Sequence, residues 1–245
     1  MTVRSAATVV LLRDTPYGIE TFILRRATTM AFAPRMHVFP GGRVDDIDYR
    51  ERVAFASGDE AALAERGSTD VAGIRALYSC AVRESAEEAG IVIAERDAEG
   101  RLLIDPATLP LVDHWVTPEG ESHRYDVRFF ATVVHDGVAS LTTTEADEAF
   151  WVAPDEAIRA FESGDLAMLP PTEAVLRWLG GFADAREAIR AGADQSVLPK
   201  LPRLLVDPDG SSTWALVHDR TGEVLVRGVA MPHTREVDGL PRQAT

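Results

Sequence analysis

Lysine is almost missing from this chain. Lys200 is the only one, and 25 Lys plus Arg stand against 39 Asp plus Glu, for a net charge of −14. A chain this acidic lacks the positive footprint that general nucleic-acid or membrane-surface binding requires, so neither partner is expected. Cysteine is equally scarce: Cys80 stands alone, which excludes an internal disulfide, suits a reducing compartment and points to the cytoplasm. No apolar run comes near the roughly 20 residues that a membrane-spanning helix needs. The opening MTVRSAATVVLLR has no cleavage-site pattern and reads as a first strand rather than a signal peptide. The closing RQAT is not a peroxisomal address. There is no P-loop and no G-x-G-x-x-G, and the six histidines show no zinc-type spacing.

What the chain does have is enough apolar material for a core: 46% hydrophobic residues beside 26% charged, over 245 residues. The segments at 6–14 and 19–27 are β-rich and joined by a turn, so a hairpin is expected. HVFPGGRV reads as a short strand ending in a Pro-Gly-Gly turn, followed by a helix around 58–66. Residues 68–90 start with a Ser/Thr/Asp cluster and stop at Gly90, the signature of a helix. Its Val71, Tyr78, Val82, Ala86 and Ala89 share one face, suited to packing on a sheet. Strand-like stretches follow, then amphipathic helices over PDEAIRAFESGD and PTEAVLRWLGGFADAREAIRAG, then short strands beyond Pro199. The last dozen residues are polar and expected to be mobile. Strands around a central helix with more helices behind define an α+β or α/β sandwich. The expected division is a main domain over 1–200, with an insert at about 45–70, and a strand-like extension from 201. That extension either packs on the core or forms a homodimer contact.

The feature that asks for an explanation is CAVRESAEEAGI, residues 80–91. Glu84, Glu87 and Glu88 fall at i, i+3 and i+4, on one helix face. They sit in the last turns, where the helix dipole is already negative. Only Arg83, four before Glu87, offers local relief. The plain reading is a solvated acidic face pointing away from the packed stripe. The sharper one is a site for a hard cation such as Mg²⁺ or Mn²⁺, which prefers carboxylate oxygens. The upstream FPGG adds a turn without Cβ atoms, whose carbonyls can approach a metal closely.

Together, "GG…REsaEEAGI" resembles the Nudix box. Gly42 takes its first glycine, and Arg83, Glu84, Glu87, Glu88, Gly90 and Ile91 take its second half. Two departures stand out. Ser85 replaces an aliphatic residue, and Gly42 lies 41 positions before Arg83 where the pattern allows 14, an insert of 27 residues. Counting forward from Gly42 reaches Asp48 and counting back from Arg83 reaches Arg75, so the pattern's first glutamate has no fixed counterpart. The placement of the insert resembles the coenzyme A diphosphatase branch of Nudix hydrolases, best known from peroxisomes. Residues 22–46 look like that branch's approach to the box; the separate coenzyme A signature of bacterial relatives is met at its start by Arg26-Ala27, but Ala31 and Arg35 stand where it has Arg and Gly.

The resemblance implies a Nudix-type α/β/α sandwich with a mixed sheet, and hydrolysis of a phosphoanhydride in a nucleoside diphosphate derivative. Coenzyme A or acyl-coenzyme A leads among substrates; ADP-ribose or NADH, or a non-catalytic nucleotide sensor, are the alternatives. It implies Mg²⁺ or Mn²⁺ held by Glu84, Glu87, Glu88 and a carbonyl near Gly42, with Glu84, Glu87 and Arg83 in catalysis and Gly41 at the substrate. Residues 21–44 hold Arg25, Arg26, Arg35, Arg43 and His37 and no carboxylate, a plausible phosphate grip in so acidic a chain. Strand alternation lets only one of Arg25 and Arg26 face the site, and Arg26 is favoured, then Arg35. Met30, Phe32 and Met36 are candidates for contact with an acyl chain. A further carboxylate could serve as general base: Glu145, Asp147 and Glu148 are candidates but read better as a solvated loop before a strand, and Glu84 is the alternative, combining ligand and base roles.

Overall fold

The computed structural model describes residues 2–30, 33–135 and 139–229. β1 (Arg4–Thr15) and β2 (Gly18–Arg26) form the expected antiparallel hairpin, in register from Thr15↔Gly18 to Leu12↔Thr21. Two short strands follow, β3 (His37–Val38) on β2 and β4 (Gly41–Arg43) on β1. HVFPGGRV is thus two strands around Phe39 and Pro40 rather than one strand ending in a turn. α1 (Asp46–Arg50), β5 (Val53–Phe55) and α2 (Glu60–Arg66) make up the insert. After α3 (Val71–Ala89), β6 (Glu95–Arg96) and β7 (Leu102–Ile104) join β5 in a small sheet of order β5-β7-β6.

β8 (Leu111–Val116), β9 (Tyr125–Val133) and β10 (Ala146–Val152) return to the main sheet. Three helices come next: α4 (Pro154–Ser163), α5 (Pro170–Leu179) and α6 (Ala185–Asp194). The last two were expected as one helix. Gly180 and Gly181 interrupt it, and Asp184 starts α6 afresh by accepting the Glu187 N–H at 2.8 Å. β11 (Lys200–Val206), β12 (Ser212–His218) and β13 (Val224–Arg227) then continue the main sheet, whose order is β10-β2-β1-β9-β8-β11-β12-β13. Leu201 and Val217 of these strands pack against Val116. The polar tail lies outside the described residues.

Helices cover both faces of this mixed sheet. Val9 and Leu11 of β1 meet Tyr78 and Ala81 of α3 on one side. Val10 and Leu12 meet Leu176 and Ile189 of α5 and α6 on the other. A strand buried on both faces reads as a continuous apolar run, which is why ATVVLL shows no alternation. The strand-like patterns of the hairpin and of β9 and the cap-bounded pattern of α3 therefore converge on an α/β/α sandwich. No helix among the described residues is long and apolar enough to cross a membrane.

The insert is tied down by charge as well as by packing. Arg128 of β9 is 3% exposed, pairs with Asp126 at 2.7 Å and donates to the carbonyls of Gly67 and Ser68 between α2 and α3. Asp126 also faces the His114 ring at 2.5 Å. Removing one member of a buried charge cluster leaves the others desolvated and unpaired. Arg128→Met is therefore expected to lower unfolding free energy by roughly 3 kcal/mol in urea titrations followed by circular dichroism.

Candidate active site

The carboxylate helix is fixed at both ends. Asp70 caps α3 by accepting the Gly73 N–H at 2.7 Å. Gly90 closes it in the left-handed conformation, φ 67°, and Ile91 N–H returns to the Ser85 carbonyl at 3.2 Å. Ser85, the odd residue in the box, is fully buried, and its hydroxyl donates to the Ile91 carbonyl at 2.8 Å. The serine thus braces the turn that an aliphatic residue would brace by packing.

The acidic face does not point away from the packed side. Glu84 and Glu88 are 8% and 7% exposed, and only Glu87 reaches solvent. Both buried carboxylates lie against β4. Glu88 accepts the Gly41 N–H at 2.8 Å. A Cβ on Gly42 would fall 2.3 Å from Glu84 Oε1, and one on Gly41 would fall 2.6 Å from the Ala7 carbonyl oxygen. Neither glycine has positive φ. The pair is required for close approach, not for a tight turn, and the Gly42 carbonyl accepts the Cys80 thiol at 3.6 Å.

Arg83 organises the group. Its Nε and Nη2 grip Asp48 at 3.1 and 2.8 Å, and its Nη1 reaches Glu84 at 2.6 Å and Glu87 at 3.0 Å. Asp48 is 1% exposed and also accepts the Asp45 N–H at 2.9 Å. Of the two positions that counting reaches, Asp48 of α1 meets the box arginine, while Arg75 pairs with Glu60 of α2 on the surface. Arg83, expected to pair with a neighbouring glutamate and fix its rotamer, contacts both Glu84 and Glu87 and ties them to Asp48 of the insert.

Burial dominates the electrostatics. It pushes the Glu88 carboxyl up to about 7, with Glu84 and Glu145 adding and the Gly41 N–H and Arg26 opposing. It raises Glu84 as well, against the pull of Arg83. Three acidic side chains, Asp48, Glu84 and Glu87, thus share one clamping guanidinium, Glu88 stands beside them on the Gly41 N–H, and Asp48, Glu84 and Glu88 are all buried. Among the described residues, no three His, Cys, Asp or Glu side chains converge closely enough to hold a metal ion. The donors are nonetheless all carboxylate oxygens with negative charge in excess, which is the chemistry that Mg²⁺ and Mn²⁺ take.

The expected arginine grip divides. Arg25 is bound to Asp147 and Glu148 at 2.7 and 2.8 Å. Arg26, opposite Ala146 in the ladder, acts on Glu88. Arg35 is exposed at φ 63°, its N–H on the Arg26 carbonyl at 2.9 Å, and its charge acts on Asp147 rather than on Glu88. Arg43 pairs with Asp45, and His37 is a buried residue with Nδ1 at 3.1 Å from the Ala167 carbonyl. Met30 and Met36 are half-buried, and Phe32 lies outside the described residues. Sequence reasoning missed the loop at 139–145, which docks on the end of α3 and brings Glu145 near Glu88. Nothing local in SLTTTE announces that docking.

Comparison with known proteins identifies the family. The NUDIX domain profile matches residues 2–175, and the chain belongs to the NUDIX family of hydrolases. A crystal structure of a NUDIX hydrolase from Alicyclobacillus acidocaldarius is similar at TM-score 0.65 and 30% identity, over 77% of this chain and 96% of that one. Nudix hydrolase 7 of Caenorhabditis elegans is 26% identical over 69% of this chain. The acyl-coenzyme A diphosphatase NUDT19 of Gallus gallus is 24% identical over 74% of it. The matched regions span 57% and 66% of those two relatives' own lengths.

Glu88 yields a pH test. Its proton is held up to about 7 in the folded chain but leaves near the ordinary 4.5 in the unfolded one. The associated stability is full below pH 4.5 and is lost as the pH rises through about 7. In metal-free buffer the melting temperature should fall across that window, and Glu88→Gln, which keeps the acceptor but cannot ionise, should flatten the fall.

Proposed function

We propose that this protein is a divalent-cation-dependent diphosphatase that splits the phosphoanhydride of coenzyme A or an acyl-coenzyme A. The observation that carries the reading is the pair of buried carboxylates, Glu84 and Glu88, packed against a Cβ-free strand at a helix C-terminus and short of positive charge. Glu84, Glu87 and Glu88 would hold Mg²⁺ or Mn²⁺. When bound, the cation supplies charge neutralisation of the diphosphate and a lowered pKa for water.

The chain's own residues do the rest. Arg83 holds Glu84 and Glu87 in fixed rotamers and keeps α1 in register through Asp48. Gly41 orients Glu88 through its N–H, and the missing Cβ of Gly42 lets the Glu84 carboxylate lie against the strand. Arg26 is the candidate for the diphosphate itself, with Arg35 as a second, outer contact. The substrate class rests on the split box and on the likeness to a protein named as an acyl-coenzyme A diphosphatase. A homodimer remains part of the reading, with exposed Val224 and Val226 of the edge strand β13 as its contact; a monomer in sedimentation would remove it.

Purified protein with Mn²⁺ and an acyl-coenzyme A should release 3′,5′-ADP and an acyl-phosphopantetheine, detected by chromatography. Turnover of ADP-ribose or NADH without that release would reassign the substrate. Glu84→Gln should lower kcat by roughly 100-fold or more with an unchanged circular dichroism spectrum; unaltered activity in that variant would remove the carboxylate site from the reaction.

A further inference from the structure

The last four carbonyls of an α-helix have no partner within it. In α3 the glycine turn serves Ser85 and Ala86, through the N–H groups of Ile91 and Gly90. The next three carbonyls are met from 50 residues further along the chain. Thr142 Oγ1 donates to the Glu87 carbonyl at 2.6 Å, Thr142 N–H to that of Glu88 at 3.3 Å, and Ser140 N–H to that of Ala89 at 3.1 Å. The same stretch also reaches the arginine side of the site. The Glu145 carbonyl accepts the Ala27 N–H at 2.8 Å, and Ala146 stands opposite Arg26. One strap therefore joins the carboxylate helix to the strand that carries Arg26.

We infer that Thr142 is a positioning residue of this site: its hydroxyl fixes the peptide carrying Glu87 and Glu88, and so the geometry in which their carboxylates meet a divalent cation. This rests on the metal-dependent reading above. The helix end carries the negative pole of the dipole together with three carboxylates, so each unmet carbonyl there adds to the repulsion. A hydroxyl donor 2.6 Å from the Glu87 oxygen offsets part of it and pins the peptide plane. Thr142 is itself exposed, so nothing in core packing requires its hydroxyl. Groups that hold metal-binding side chains from behind typically alter metal affinity 10- to 100-fold.

The test is Mn²⁺ titration calorimetry on the full chain for wild type, Thr142→Val and Thr142→Ser, with metal-free melting temperatures in parallel. Valine keeps the shape and the backbone N–H but loses the hydroxyl; serine restores it. Thr142→Val should raise the Mn²⁺ dissociation constant roughly ten-fold while the metal-free melting temperature moves by only a few degrees, and Thr142→Ser should bring affinity back to within about two-fold of wild type. An unchanged dissociation constant in Thr142→Val overturns the inference, whatever happens to the melting temperature. Equal weakening in both variants overturns it too, because the hydroxyl is then not the cause. Absence of Mn²⁺ uptake by the wild-type chain overturns this inference and the metal-dependent reading together, a pattern distinct from uptake that ignores the hydroxyl.

Discussion

A single guanidinium shared among Asp48, Glu84 and Glu87 holds the centre of this molecule together. The acidic helix end is a place where both the backbone dipole and neighbouring side chains repel further negative charge, and Arg83 is the clamping cation within reach. It cannot satisfy everything. Glu88 is left to the Gly41 N–H and the charge of Arg26, and burial keeps a proton on it well into the neutral range. The fold arranges itself around this unfinished neutralisation. β4 carries no Cβ where the carboxylates press on it, Ser85 stiffens the turn after Gly90, and the loop at 139–145 donates to carbonyls that would otherwise add to the charge.

The same clamp explains how the chain tolerates a long insert in the middle of its motif. The partner that Arg83 grips through two nitrogens stands on α1, a five-residue helix, where Asp48 is buried six positions after Gly42. The insert can therefore lengthen after Asp48 without disturbing the site, as long as β5 and α2 return the chain to Asp70. The small sheet of β5, β7 and β6 and the hold of Arg128 on Gly67 and Ser68 provide that return.

Much of this was legible in the residues. The β1–β2 hairpin follows from its β-rich apolar runs and the turn between them, α3 from its caps, and the carboxylate triad from its spacing. Other features were not, for physical reasons. Burial of Glu84 and Glu88 depends on where β4 docks, and no periodicity shows that a polar face will be covered by a glycine strand. The choice of Asp48 over Arg75 needed the path of the insert in space. Gly180-Gly181 is visible in the sequence, but glycines inside a helical pattern are tolerated often enough that they do not by themselves mark a break. The role of 139–145 depends on contacts more than 50 residues away, which local patterns do not carry.

The central claim is that a divalent cation completes the neutralisation that Arg83 begins. Its most direct measurement is the number of protons released on Mn²⁺ uptake, taken by calorimetry in buffers of different ionisation enthalpy. With the Glu88 proton held to about 7, uptake at pH 6.5 should expel roughly half a proton or more, and uptake at pH 8.5 close to none. Uptake with no proton release at pH 6.5, or no uptake at either pH, would contradict the account.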